Sequence, residues 1–279
     1  MDARTIQKLL RCVQMVEARV TMTATLEAFC AEHPAVGRRK GNSLYLGASE
    51  KETIRQILRS EGVDPDTAPN AWEGRTRAQA LDLGNDEKLT GEAVKRRRLA
   101  IKALTPSASI NIGSGAIRLP ARCHIDVDYS SVAIERHDWI VVVENWECFD
   151  SIHLAARNLI FPGHSPLIVW RGDTSATRAD TMMEWISGLT QQVAAFVDYD
   201  PSGLIIAASL PRLDTVVAPE LSELGRLLRG NGLHARFQRQ LPSCQRALDE
   251  LSNPVIRPVW ELIRHEGKAL PQEHFIMTA

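Results

Sequence analysis

WIVVVEN (139–145), PLIVWRGD (166–173) and AAFVDYDPSG (194–203) are the stretches that decide the fold. Each is a short apolar run rich in β-branched residues, which reads as a strand buried on both faces, as in a parallel sheet. Two of them end in acid: Glu144 closes the first, and Asp198 and Asp200 close the third. Ligands of open α/β sheets sit beyond the carboxyl ends of such strands. Carboxylates gathered there repel one another unless a cation lies between them, and hard oxygen ligands of this kind suit Mg²⁺ or Mn²⁺. The pattern points to metal-dependent phosphate chemistry.

Working outward, the rest of the C-terminal half alternates strand and helix. The expected order is strand 139–143, helix 149–160, strand 166–170, helix 176–189, strand 194–200, helix 203–210 and a short strand in TVVAPE (215–220). Helices near 220–229, 243–252 and 257–265 close the chain. Such alternation predicts a mostly parallel, Rossmann-like α/β sheet with helices on both faces. Upstream, CHIDVDY (123–129) and SVAIERH (131–137) alternate like a pair of strands, and residues 105–120 read as a loop or hairpin. Residues 75–103 read as a helical stretch that carries Lys95, Arg96, Arg97 and Arg98. That run serves equally well as a phosphate-binding patch or as a solvated helix face.

The N-terminal part reads as two helices over 4–32, a basic turn at Arg38, Arg39 and Lys40, a strand through Leu44–Leu46, and a helix opened by Ser49 and Glu52 at capping-box spacing. A mainly helical, winged-helix-like DNA-binding region is compatible with this order. The domains expected are 1–62 for that module, 63–118 for a linker and basic helical region, and 119–279 for the catalytic α/β domain.

Composition excludes several classes. The 279 residues are 44% hydrophobic and 24% charged, as in a water-soluble globular chain. No apolar stretch nears the roughly 20 residues that span a bilayer. The N-terminus lacks signal-peptide character, and the five scattered cysteines form no CxxC pair, so a cytoplasmic protein with reduced thiols and no membrane partner is expected. The net charge of −1 divides unevenly: residues 1–110 hold 18 Lys and Arg against 14 Asp and Glu. A basic front and an acidic rear suit a nucleic-acid grip joined to a metal site.

The order of Glu, Gly and Asp-x-Asp at successive strand ends resembles the Toprim domain. VVVENWECF (141–149) is similar to a stretch of the DNA-cleaving subunit of Wadjet- and Mks-type plasmid-defence systems. WRGDTSATRADTMMEW (170–185) resembles a segment of the topoisomerase VI A subunit, with Asp173 where that family often has Pro. DYDPSGLIIA (198–207) matches both families, and LPQEHF (270–275) is similar to their C-terminal Gln-Glu. The resemblance spans about residues 120–275. It implies a Toprim nuclease working on double-stranded foreign circular DNA beside SMC- or condensin-like subunits, with room for a homodimer. Glu144, Asp198 and Asp200 would hold Mg²⁺ or Mn²⁺, Gly172 and Gly203 would let phosphate approach the backbone, and Arg178 would touch a DNA phosphate. Asp173 is either a further ligand or a helix cap, and Glu273 either completes the site or lies on the surface.

Two alternatives stand beside hydrolysis by water. A topoisomerase-like mechanism needs a nucleophilic tyrosine. Of Tyr45, Tyr129 and Tyr199, none has a fitting context, and Tyr199 is expected to point into the sheet packing. The other alternative is a non-catalytic DNA-binding scaffold that retains the fold. Trp139, Trp146, Trp170 and Trp185 are expected to pack the core or the helix–sheet interface.

Overall fold

The structure, a computed structural model, describes residues 1–34, 36–73, 75, 79, 97–173 and 179–277. The chain divides into two compact units, Met1–Val94 and Lys95–Ala279.

In the first unit, α1 (Ala3–Gln14) is capped by the Asp2 carboxylate, which accepts from Thr5 N at 2.7 Å. Strand β1 (Arg19–Thr21) follows, then α2 (Ala24–Glu32) with Thr23 as its cap. A hairpin of β2 (Arg38–Lys40) and β3 (Ser43–Tyr45) leads into α3 (Ala48–Ser60). The antiparallel sheet runs β1-β3-β2. Leu9, Leu10, Leu26, Leu44, Leu46, Ile54 and Leu58 form its core. Three expectations change here. A strand separates the first two helices, Arg38–Lys40 is an exposed strand rather than a turn, and the Ser49 capping box does not form. Leu46 is fully buried beside β3, so the chain must enter α3 immediately afterwards, and Gly47 takes the cap position in extended conformation.

The second unit is built on a six-stranded sheet of order β11-β10-β8-β9-β4-β7. Its strands are β4 (Arg98–Ala103), β7 (Ile125–Asp128), β8 (Trp139–Val143), β9 (Leu167–Trp170), β10 (Gln192–Phe196) and β11 (Leu213–Val216). β5 (Ser109–Ile112) and β6 (Gly115–Arg118) form a separate hairpin. β11, β10, β8 and β9 are mutually parallel, while β4 runs antiparallel to both β9 and β7. The helices are α4 (Trp146–Asp150), α5 (Ile152–Ala155), α6 (Ala179–Ser187), α7 (Pro201–Ser209), α8 (Leu221–Asn231), α9 (His234–Glu250) and α10 (Ile256–Glu266). The parallel runs are as apolar on both faces as their composition requires: Ile140–Val143 and Val193–Val197 are fully buried.

Two local readings fail. Arg98–Ala103 is a strand, not the end of a helix. Leu99 and Ile101 are buried between β9 and β7, and a short apolar run of this kind does not reveal its own period. The strand is interior to the sheet, so residues 95–118 belong with the second unit rather than with a linker. Segment 131–137 is not a partner strand for β7; the Asp128 carboxylate caps Ser130 N at 2.9 Å and turns the chain into short 3-10 helices.

Chain order and sheet order together place the site. From β8 the chain crosses to β9 on one side and then returns to β10 on the other. The direction of winding therefore reverses between β8 and β10, and at such a switch point the strand ends splay into a crevice.

Candidate acidic site at the switch point

Val143 pairs with Phe196, and Glu144 N donates to Phe196 O at 3.0 Å, so the acidic ends of β8 and β10 lie side by side. Asp198 N donates to Glu144 Oε2 at 3.3 Å. Asp198 Oδ1 accepts from Gln272 N at 2.8 Å, because the C-terminal segment crosses the end of β10 through a bridge between Tyr199 and Leu270. That crossing also delivers Glu273, whose Oε1 accepts from Asn145 Nδ2 at 2.7 Å. Asn145 holds two elements at once, since its Oδ1 caps α4 by accepting from Glu147 N and Cys148 N. Glu144 and Asp198 are thus hydrogen-bonded, and Glu273 is bonded to Asn145, the residue next to Glu144.

Asp200 is 1% exposed and opens α7 as its N-cap, accepting from Gly203 N at 2.7 Å, with Pro201 in the first turn. Gly203 has a structural reason to be glycine: a Cβ there would lie 2.2 Å from Asp198 O. Gly172 follows β9 with φ of +88°, the left-handed region that favours glycine.

The carboxylates are electrostatically uncomfortable. Burial first, and then the charge of Asp198, push the Glu144 carboxyl up to about 7. Burial also raises Asp198 and Glu273 from their ordinary values. Glu273 Oε2 and both side-chain polar atoms of the fully buried Gln272 have no hydrogen-bond partner. Buried polar groups left unpaired carry a desolvation cost that calls for an explanation.

A cation already sits at the acidic pair, and it is a side chain. Arg236 on α9 donates through Nε to Asp200 Oδ2 at 2.7 Å and through Nη2 to Asp198 Oδ2. Gln240, one turn further along α9, donates to the same Asp200 oxygen at 2.9 Å. Among the described residues, no group of three or more His, Cys, Asp or Glu side chains is arranged to hold a metal ion. The acids expected to converge on a cation are turned, in the case of the Asp pair, toward a guanidinium. The donors are hard oxygens, the kind a divalent cation prefers, but as arranged the Asp pair is neutralised by Arg236.

The remaining candidates lie elsewhere. Arg38, Arg39 and Lys40 are exposed on β2 in the first unit, with Arg39 paired to Glu27. Arg98 binds Asp126, and Arg97 binds Asp128 at 3.5 Å, so both neutralise β7. Arg96 and Arg178 lie outside the described residues, as does Thr174 beside the exposed Asp173. Tyr199 is fully buried and donates its hydroxyl to Val217 O at 2.7 Å, which removes it from solution chemistry. Trp170 and Trp185 are buried as expected, but Trp146, two residues after Glu144, is 42% exposed and edge-on to His124 and Trp170. Arg236 and Gln240 carried no signal in the sequence beyond their spacing of four on one helix face.

Fold and site define an α/β protein with a buried acidic cluster at the switch point of a mostly parallel sheet. Residues 98–279 match the family described as "Domain of unknown function (DUF7281)", and the chain belongs to that family. The match begins at the first residue of β4. No curated protein matches the chain.

Proposed function

We propose that the chain is a Toprim-type DNA nuclease that hydrolyses phosphodiester bonds with water in the presence of Mg²⁺ or Mn²⁺. The observation that carries the reading is the gathering of Glu144, Asp198 and Asp200 at adjacent strand ends on the switch point, joined by Glu273 from the C-terminus. Burial this deep is costly for several carboxylates unless positive charge is supplied. Asp198, Asp200 and Glu273 would hold the metal, which would neutralise the scissile phosphate and the departing oxygen. Glu144, which like Glu273 does not bond Arg236 and is held at the end of β8, would take the proton of the attacking water. The end of β10 keeps Glu144 in place through the bond from Glu144 N to Phe196 O.

The finer parts of the reading have their own supports. Double-stranded DNA as substrate agrees with the exposed Arg38, Arg39 and Lys40 on the β2–β3 hairpin, the basic edge of the proposed winged-helix-like module. A cytoplasmic role against foreign circular DNA beside SMC-like subunits rests on the likeness of VVVENWECF and LPQEHF to the plasmid-defence nucleases. Among the described residues no helix is long and apolar enough to cross a membrane. One observation favours a second reading, a non-catalytic DNA-binding scaffold: Arg236 already neutralises the Asp pair.

The deciding experiment is cleavage of supercoiled plasmid by the purified chain, with and without its proposed partners, in Mg²⁺ or Mn²⁺, beside a folded Asp198→Asn variant. Metal-dependent nicking or linearisation lost in the variant supports the nuclease. Equal outcomes for wild type and variant under every condition, with DNA binding retained, establish the scaffold instead.

A further inference from the structure

We propose that Trp146 is a stacking platform for an unpaired nucleobase, so that DNA enters this crevice with its strands locally separated. The inference rests on the nuclease reading above and adds to it the class of substrate. Trp146 opens α4 two residues after Glu144 and is 42% exposed, whereas Trp170, Trp185 and Trp260 in the same unit are at most 7% exposed. The exposure is not that of a loose side chain, because three rings brace the indole. Trp170 lies 4.6 Å away between centroids at 75°, His124 at 4.9 Å and 87°, and Phe149 at 5.3 Å and 41°. Trp170 and Phe149 are themselves buried, so the indole is held from within while part of it stays open to solvent. A surface ring fixed in this way loses little freedom when a planar partner settles on it.

The charges around the ring select the base as the part that docks. Glu147, exposed beside Trp146 on α4, repels a phosphate from the indole, while the uncharged face of any base stacks on it without a hydrogen bond. Arg171 stands on the other side of Trp170 at the end of β9 and is partly exposed. Its backbone N donates to Val143 O at 2.9 Å, which sets the residue beside Glu144. Positive charge there draws the strand's backbone. A base over Trp146 with its phosphate toward Arg171 brings the flanking phosphodiester toward Glu144. In a duplex each base already lies between its neighbours, so only an unpaired or extruded base presents a face to the indole.

The test reads binding in EDTA, without cleavage. Fluorescence anisotropy compares a labelled single strand of about 12 nucleotides with the same sequence as a duplex. Trp146→Ala should weaken single-strand binding about tenfold and leave duplex binding unchanged, with Trp146→Phe close to wild type. Circular dichroism confirms that each variant is folded. On the native chain, the single strand should quench tryptophan emission, and an abasic strand of the same length should not. Equal single-strand affinity in wild type and Trp146→Ala, an equal loss for both DNAs, or equal quenching by the abasic strand overturns the platform. Plasmid cleavage with Asp198→Asn judges the nuclease reading separately. Cutting beside an unaltered single-strand affinity sinks the platform alone, whereas Trp146-dependent affinity in a chain that never cuts keeps the platform on a scaffold.

Discussion

Glu144→Gln is expected to stabilise the metal-free protein at alkaline pH while removing cleavage. In the folded chain the Glu144 carboxyl is pushed up to about 7, chiefly by burial and then by Asp198, from an ordinary value of 4.5. Below that ordinary value both folded and unfolded chains hold the proton, and the carboxyl costs nothing. As pH rises from there to about 7, the unfolded chain releases its proton and the folded chain retains it, so stability falls through that window. Above it the full penalty applies, and at about 1.4 kcal/mol for each unit the ceiling is about 3 kcal/mol. Relaxation and water entry reduce this, and about 1–2 kcal/mol is expected. Glutamine stays neutral throughout, and its carbonyl oxygen retains the bond from Asp198 N. Urea unfolding in EDTA at about pH 5 and about pH 8 measures the difference. For a unit of this size a gain of roughly 3–6 °C in Tm should accompany it at the higher pH. Stability bought by deleting a site residue is the mark of a carboxylate kept for function. Loss of stability at about pH 8, or a gain equal at both pH values, would refute the reasoning.

Further outcomes follow from other contacts. Asp200→Ala removes the cap of α7 and one partner of Arg236, and should cost about 2–4 kcal/mol, whereas Asp200→Asn keeps the cap and should lose about half as much by the same unfolding assay. Gly203→Ala should destabilise by about 3 kcal/mol, because its Cβ would meet a backbone oxygen that cannot swing away. Gly230→Ala, on the same kind of helical backbone but with open space around the added methyl, should instead stabilise by about 0.5 kcal/mol. His137 is buried, with Nδ1–H donating to Ser165 O and Nε2 accepting from Asn111 N, and burial lowers its pKa. Its contribution is complete above the unfolded value of about 6.5 and falls as pH drops below it. Comparing His137→Gln with its parent, both carrying Glu144→Gln so that the opposing slope is removed, should show that acid loss only in the parent.

The sequence by itself determined the α/β class, the parallel core and three of the acids, because a strand buried on both faces must be written in apolar, β-branched residues and must end where its polar residues begin. WIVVV and AAFV are rich in the apolar residues such strands need, and Glu144, Asp198 and Asp200 stand where those runs stop. What lay further along the chain was decided by tertiary structure. Arg98–Ala103 became a strand because an open edge of β9 accepted it, a fact not contained in its six residues. Arg236 reaches Asp198 and Asp200 across 38 and 36 residues of sequence, and Glu273 reaches Asn145 across 128. Local pattern records the face a residue presents to its own helix or strand, whereas the partner on that face is chosen by packing among distant elements. The acids were therefore legible in the sequence, while the side-chain cation that holds the Asp pair belongs to the fold.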